Sequence, residues 1–419
     1  MHGGRTQKIE LLAPAGNFEK LEIAVHYGAD AVYLAGKEFS LRNFSGNFSL
    51  EEMQQALAYG HANGIKVYVA CNIYPRDDEL PAIRDHLAAV GALKPDGIIV
   101  ADPGIFMLAR ETIPHIPVHV STQANTTNSE TARFWQKMGA VRVNVARELN
   151  LAEITRMVRT AGIEVEAFVH GAMCISYSGR CLLSSFMARR DANRGRCAHP
   201  CRWQYSVVEA QRPGQYMPIR EDARGTYIFN SHDLCMIAHI PEVIRAGITS
   251  LKIEGRMKGI HYLASTVKVY REAIDTWYAD PEGYQTNPDW LTELGRINNR
   301  GYCTGFYFND PDQVTPNLAN HKPAPGARFV GKVLDVPGAG PPIVEVRNKI
   351  QAGDRVEILP ARGKTSACVI EKIVDGAGQP AEVAQPGSIV TLFVSVPCSK
   401  MDLIRRVKHP GPEDQVFKG

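Results

Sequence analysis

Five cysteines fall between residues 174 and 235 of this 419-residue chain: Cys174, Cys181, Cys197, Cys201 and Cys235. Zinc fingers and ribbons use pairs separated by roughly two to four residues, and here only Cys197 and Cys201 stand that close. Wider, irregular spacing suits a cluster gripped by loops that converge in space. A cubane 4Fe–4S cluster needs four thiolates, usually one per iron. Arginines crowd the same stretch: Arg180, Arg189, Arg190, Arg194, Arg196 and Arg202. They would lower thiol pKa values and offset an anionic cluster, or neutralise phosphates; a solvated surface segment is the plainer alternative. Trp203 and Tyr205 follow, as stacking platforms for unpaired bases or as core residues. Buried structural thiol is the plain reading of any cysteine, and it suits the isolated Cys71, Cys303, Cys368 and Cys398.

Other polar residues fall at or just after apolar runs: Asn72, Asp102, Gln123, Asn125, Glu148, His170, Glu254 and Arg256. His170, four residues before Cys174, would serve as a general acid or base or would orient the cluster loop through a hydrogen bond. Glu254 and Arg256 are two apart and would point the same way if the strand ran through both. They would form a structural ion pair, or Arg256 would grip a substrate carboxylate with its planar fork. A dicarboxylate needs two such grips, and Arg147 and Lys252 are further candidates. His115 and His119 flank Pro117 and read as ordinary residues. There is no His-Glu-x-x-His zinc motif and no nucleophile elbow. Pro14-Ala-Gly16 reads as a tight strand-to-helix turn, not a phosphate loop.

These residues need elements to hold them. Short apolar runs mark eight strands, beginning at Ile9–Ala13, Ala31–Ala35, Lys66–Ala70, Gly97–Ala101, Val118–Ser121, Val141–Val145, Val165–Val169 and Ile248–Glu254. Amphipathic helical patterns separate most of them, over Phe18–Tyr27, Leu50–Asn63, Glu79–Leu93, Glu130–Met138 and Leu151–Thr160. Repeated βα units imply a parallel sheet, and eight of them predict a closed TIM-type (β/α)8 barrel of the α/β class; an open doubly wound sheet is the alternative. The spacing breaks once, before the last strand. That long insertion, residues 171–247, carries the cysteines and arginines and leaves the C-terminal end of a strand, where barrel enzymes place chemistry. The barrel is expected over residues 1–280, and a Pro/Gly/Asn/Asp-rich connector over 281–326. Residues 327–405, with several short strands and no helical pattern, predict a small all-β barrel domain.

Composition sets wide bounds. Apolar content of 44% supports a full globular core. No run reaches the ~18 apolar residues of a membrane-spanning helix, and the polar start, Met1 to Lys8, lacks a signal-peptide pattern. No membrane partner and a cytoplasmic location are therefore expected, where structural disulfides are uncommon and clustered thiols read as ligands. The net charge of +3 says little about partners.

Glu166-Ala-Phe-Val-His-Gly-Ala-Met-Cys174 followed by Gly179-Arg-Cys-Leu-Leu-Ser184 resembles the signature of the peptidase U32 family. Leu11-Leu-Ala-Pro-Ala-Gly16, Tyr33-Leu-Ala-Gly36, Ser231-His-Asp-Leu-Cys235, Lys252-Ile-Glu-Gly-Arg-Met257 and Asn299-Arg-Gly-Tyr302 extend the resemblance over nearly the whole chain. The family name records a collagenolytic link. Better understood members resemble oxygen-independent hydroxylases bearing a 4Fe–4S cluster, acting in ubiquinone synthesis, on ribosomal RNA or on transfer RNA. Length and the C-terminal β-domain make this chain most similar to the tRNA branch. That resemblance implies 5-hydroxyuridine formation at the wobble position, with tRNA held near its anticodon and prephenate as oxygen source. By position it implies Cys174, Cys181, Cys197 and Cys235 as cluster ligands, with Cys201 competing for the place of Cys197. His170, Glu254 and Arg256 are the candidate catalytic residues. A collagenase-like peptidase and a non-catalytic iron–sulfur RNA-binding protein are the alternatives.

Overall fold

The structure is a computed structural model. It describes residues 8–40, 46–173, 182–190, 192, 197–200, 220–222, 225–227, 232–308, 327–338 and 340–406. Seven parallel strands lead the chain: β1 (Glu10–Pro14), β2 (Ala31–Ala35), β3 (Lys66–Cys71), β4 (Gly97–Val100), β5 (Val118–Val120), β6 (Arg142–Asn144) and β7 (Glu164–Ala172). Between them run α1 (Phe18–Tyr27), α2 (Leu50–Ala62), α3 (Leu80–Ala92), α4 (Pro103–Thr112), α5 (Ser129–Met138) and α6 (Leu151–Ala161). Helix α7 (Leu183–Ala188) and a hairpin of β8 (Arg220–Asp222) with β9 (Gly225–Tyr227) lie in the insertion; β10 (Asp233–Cys235), α8 (Ile240–Arg245) and β11 (Ser250–Ile253) follow.

Strand β11 closes the barrel, pairing in parallel with both β1 (Glu10↔Ser250) and β7 (Ser250↔Glu166). The eight expected strands are all present, and the closed parallel barrel replaces the open-sheet alternative. Its strands are apolar on both faces because each is buried on both. One cluster, including Leu11, Val32, Val67, Ile98 and Val118, packs against the helices. A separate one, of Leu12, Ala31, Tyr33, Ala35, Tyr68, Ala70 and Ile99, fills the interior. Local caps start the helices: the Asn17, Ser49, Asn128 and Asn150 side chains each accept a backbone N–H from the first turn. Helix α4 lies outside the helical patterns expected from the sequence; Asp102 caps it and Pro103 opens it.

Two additions build the rim of the barrel. Strand β7 runs on past the barrel and pairs antiparallel with β10, with Cys235 opposite His170. Helix α9 (Ile260–Ala279), helix α10 (Pro288–Gly295) and strand β12 (Tyr302–Cys303) come next, and β12 lies parallel to β10. Residues 288–307, within the stretch expected to connect the domains, pack on the barrel through Trp290, Leu294, Ile297 and Tyr307.

The C-terminal part is an antiparallel β-domain with its own apolar core. Its strands are β13 (Arg328–Asp335), β14 (Ile343–Val346), β15 (Ile350–Gln351), β16 (Arg355–Leu359), β17 (Ser366–Val369), β18 (Lys372–Val374), β19 (Pro380–Ala381), β20 (Val383–Ala384), β21 (Ile389–Phe393) and β22 (Leu403–Arg406). The main sheet has the order β17-β16-β22-β13-β14-β21-β18-β19. Polar contacts dock it on the barrel helices. Arg405 is fully buried, with Nη1 and Nη2 each 2.6 Å from the Glu293 carboxylate of α10 and Nη2 2.9 Å from Glu357. The Tyr27 hydroxyl of α1 donates to the Leu359 carbonyl at 2.7 Å.

Candidate functional site

Alternation along the strands turns a polar column into the barrel. At its base the Arg142 guanidinium lies 2.6 Å from Glu10, 2.8 Å from Glu164 and 3.5 Å from Glu166. The Lys252 ammonium sits 2.7 Å from Glu166 and 4.4 Å from the centre of the Tyr33 ring. Asn144 donates to Glu166 at 2.9 Å, and Tyr68 to Glu10 at 2.7 Å. Burial pushes the Glu10 carboxyl up, but the charge and hydrogen bonds of Arg142, with Tyr68 and Ser250, leave it below its ordinary value. Charges inside a protein persist when they are paired and hydrogen-bonded in this way. Lys252 is thus committed inside the barrel. His119 is buried there too, its ring 4.6 Å from Tyr68.

The column ends at the C-terminal mouth on Arg147 and Glu254. Arg147 Nη2 is 3.0 Å from Glu254 Oε2, and its guanidinium lies 4.1 Å above the Phe168 ring. Both side chains keep some access to solvent, 12% and 19%. Strand β11 stops at Ile253, so Glu254 and Arg256 do not continue the strand. Among the described residues, the ionic partner of Glu254 is Arg147 and not Arg256. Arg256 is buried, and its carbonyl accepts from Lys20 Nζ at 2.8 Å. Across the mouth, Asn72 and Ser121 donate to Gln123 Oε1 at 2.7 and 2.9 Å. Asp102 is absorbed as the cap of α4.

His170 faces the other way. It lies under α9, its ring 5.5 Å from Tyr270, 5.8 Å from Tyr262 and 5.3 Å from Tyr302. Burial drives its pKa down to about 3, so the imidazole is neutral. Nδ1 is 3.5 Å from the Tyr270 hydroxyl, while Nε2 is buried with no hydrogen-bond partner among the described residues. Gly171 makes this turn possible. It has φ +109°, and an added Cβ would fall 2.5 Å from the Glu254 carbonyl, so no side chain is tolerated. The geometry fits an imidazole that orients its neighbours better than a proton carrier at the mouth.

Those neighbours include Cys235. It stands opposite His170 in the β7–β10 ladder, and burial pushes its thiol up to about 11. Asp233, two residues earlier, takes Arg300 Nε at 3.0 Å, and its N–H donates to the Gly301 carbonyl at 2.9 Å. Both segments stand out in the sequence, but nothing in it pairs them. Cys197 is a half-buried free thiol, and its sulfur accepts the His199 N–H at 3.4 Å. Cys174, Cys181 and Cys201 lie outside the described residues, as do Arg180, Arg194, Arg196, Arg202, Trp203 and Tyr205. Among the described residues, no three His, Cys, Asp or Glu side chains form a metal site by themselves. Free thiols at Cys197 and Cys235, the latter opposite His170 in the ladder, are donor chemistry that fits a thiolate-held cluster. No helix among the described residues is long and apolar enough to cross a membrane.

Comparison with known proteins gives the family. The profile described as Peptidase family U32 matches residues 16–316, and that of the Peptidase family U32 C-terminal domain matches residues 326–405. The chain is 40% identical over 405 residues to tRNA hydroxylation protein P1 of Bacillus subtilis, covering 96% of each chain. It is 37% identical to tRNA hydroxylation protein P of Escherichia coli, covering 93% of this chain and 94% of the relative. A Porphyromonas gingivalis protein named Collagenase is 31% identical, covering 71% of this chain and 73% of the relative. The chain belongs to peptidase family U32.

Proposed function

We propose that this member of peptidase family U32 hydroxylates transfer RNA. The observation that carries the reading is 40% identity, over 96% of both chains, to a protein named for tRNA hydroxylation. The finer proposal is oxygen-independent 5-hydroxylation of the wobble uridine, in the anticodon region of a cytoplasmic tRNA, with prephenate as oxygen donor. Cys174, Cys181, Cys197 and Cys235 would hold a 4Fe–4S cluster; Cys201 is the alternative to Cys197.

The mouth supports this assignment of roles. Arg147 presents a guanidinium fixed by Glu254 and stacked on Phe168, a planar fork suited to a carboxylate of the donor. Arg256 is the candidate for the second carboxylate. Glu254 would hold Arg147 in register. His170 would position Cys235 through Tyr270, whose hydroxyl accepts the Met236 N–H at 3.0 Å. A bound cluster supplies an electron-transfer centre.

The relative named Collagenase raises a second reading, a peptidase. Among the described residues two cysteines stand beside a histidine: Cys235 opposite His170 in the β7–β10 ladder, and Cys197 with its sulfur 3.9 Å from His199 Nδ1. Activated thiols are accessible and have depressed pKa values; Cys235 is buried and its pKa is raised. That speaks against Cys235 as a nucleophile, and the higher identity to the protein named for tRNA hydroxylation favours the hydroxylase.

Anaerobically reconstituted protein, incubated with unmodified tRNA and prephenate and followed by nucleoside mass analysis, tests the proposal. Formation of 5-hydroxyuridine is expected. Binding of tRNA without product would favour a non-catalytic RNA-binding protein, and cleavage of denatured collagen would favour the peptidase.

A further inference from the structure

We propose that Arg328, Lys349 and Arg406 of the C-terminal domain form a binding surface for the sugar–phosphate backbone of RNA beside the barrel mouth. The proposal rests on the reading of RNA as substrate and adds where the second domain holds it.

The first observation is a pairing that costs stability when nothing is bound. Arg328 and Arg406 stand directly opposite each other in the β13–β22 ladder, where like charges repel. Arg406 is relieved by Asp354 at 3.1 Å. Arg328 is exposed and, among the described residues, has no carboxylate within ion-pair distance. It is ordered instead by an amide: its Nε and Nη2 donate to Asn348 Oδ1 at 3.2 and 2.7 Å. Asn348 in turn donates to the Phe329 carbonyl at 2.8 Å. The guanidinium is thus held in place without being neutralised. Lys349 is exposed next to Asn348, and its carbonyl accepts from Arg406. Three cations with one carboxylate, one of them a pre-ordered fork, suit phosphate oxygens.

The second observation is position. Lys332 and Arg347, which flank this surface, both bond to Glu19 in the first turn of α1. The next residue, Lys20, bonds to the Arg256 carbonyl. The Phe329 ring stacks on His261, at the start of α9, with centroids 6.2 Å apart. Both helices begin at the C-terminal face of the barrel, so the basic surface borders the face on which Arg147, Glu254 and Arg256 lie. A polyanion gripped there can place a nucleotide over the mouth while the backbone contacts carry no sequence preference.

The test uses the full chain and an unmodified tRNA transcript, with binding followed by fluorescence anisotropy across a salt series. Arg328→Ala/Lys349→Ala should weaken binding about tenfold, and log K against log salt should become shallower by roughly 1.5, two phosphates' worth. Arg328→Glu should weaken it further and Arg328→Lys should retain most of it, which separates charge from the Asn348 contact. Unchanged affinity and slope in the double variant, beside a wild type that binds, would overturn the surface and leave Arg328 a charged strand residue. Equal binding by the Glu and Lys variants would overturn it too. A wild type with no salt-dependent tRNA binding would overturn the RNA reading itself.

Discussion

Asp233 and Arg300 join two segments that lie 67 residues apart, with the guanidinium Nε 3.0 Å from the carboxylate. The pair ties β10, which carries Cys235, to the turn that leads into β12. Asp233 is buried with 3% of its side chain exposed, whereas Arg300 keeps 21%. Arg300→Ala should cost on the order of 3 kcal/mol, because a carboxylate is left buried without its cation. Urea unfolding measures this. Asp233→Asn/Arg300→Ala should cost less than the sum of the single changes.

Arg147 and Glu254 face each other across the mouth, and Arg147→Ala should lower hydroxylation on the order of 10²-fold with the fold intact. Arg147→Lys should not restore it, since an ammonium neither stacks nor presents a fork. If Glu254 acts through Arg147, Glu254→Gln adds little once Arg147 is gone. Single-turnover rates of the two variants and the double variant check this.

Iron content tests the proposed roles of the thiols. Wild-type protein purified without oxygen should contain about four iron and four sulfide per chain. Cys197→Ala and Cys235→Ala should lose the cluster and its visible absorbance, and Cys201→Ala should keep both. The reverse outcome for Cys197 and Cys201 would exchange their roles.

Glu293 gives the domain contact a pH dependence. Burial raises its pKa, but the hydrogen bonds and charge of Arg405, with Ser265, outweigh this and hold it below the ordinary 4.5. A carboxyl lowered in the folded state contributes stability above its unfolded value and loses it as pH falls through the folded one. The wild type should therefore lose stability below about pH 4.5. Glu293→Gln should be less stable at neutral pH, because among the described residues Arg405 then keeps Glu357 as its one carboxylate, and its acid slope should be shallower. Thermal unfolding from pH 3 to 7 compares them.

Much of the barrel was legible because strands buried on both faces are continuous apolar runs; Ala31–Ala35 coincides with β2. The segment holding α10 and β12 was not, since its Pro, Gly, Asn and Asp residues also describe a linker, and burial of Trp290 and Leu294 arises only once the barrel exists. Of the site, residue types at the mouth were readable but their partners were not. Glu254 meets Arg147 from 107 residues earlier, and the end of β11 at Ile253 breaks the alternation that would align it with Arg256. His170 was readable as a residue of interest, but its direction depends on the positive φ of Gly171.

Expression of this chain in a bacterium deleted for its own relatives, followed by mass analysis of tRNA nucleosides, tests the central claim most directly. Nucleosides derived from 5-hydroxyuridine should reappear with the wild type and stay absent with Cys235→Ala. Their absence with soluble, iron-loaded wild type would contradict the account.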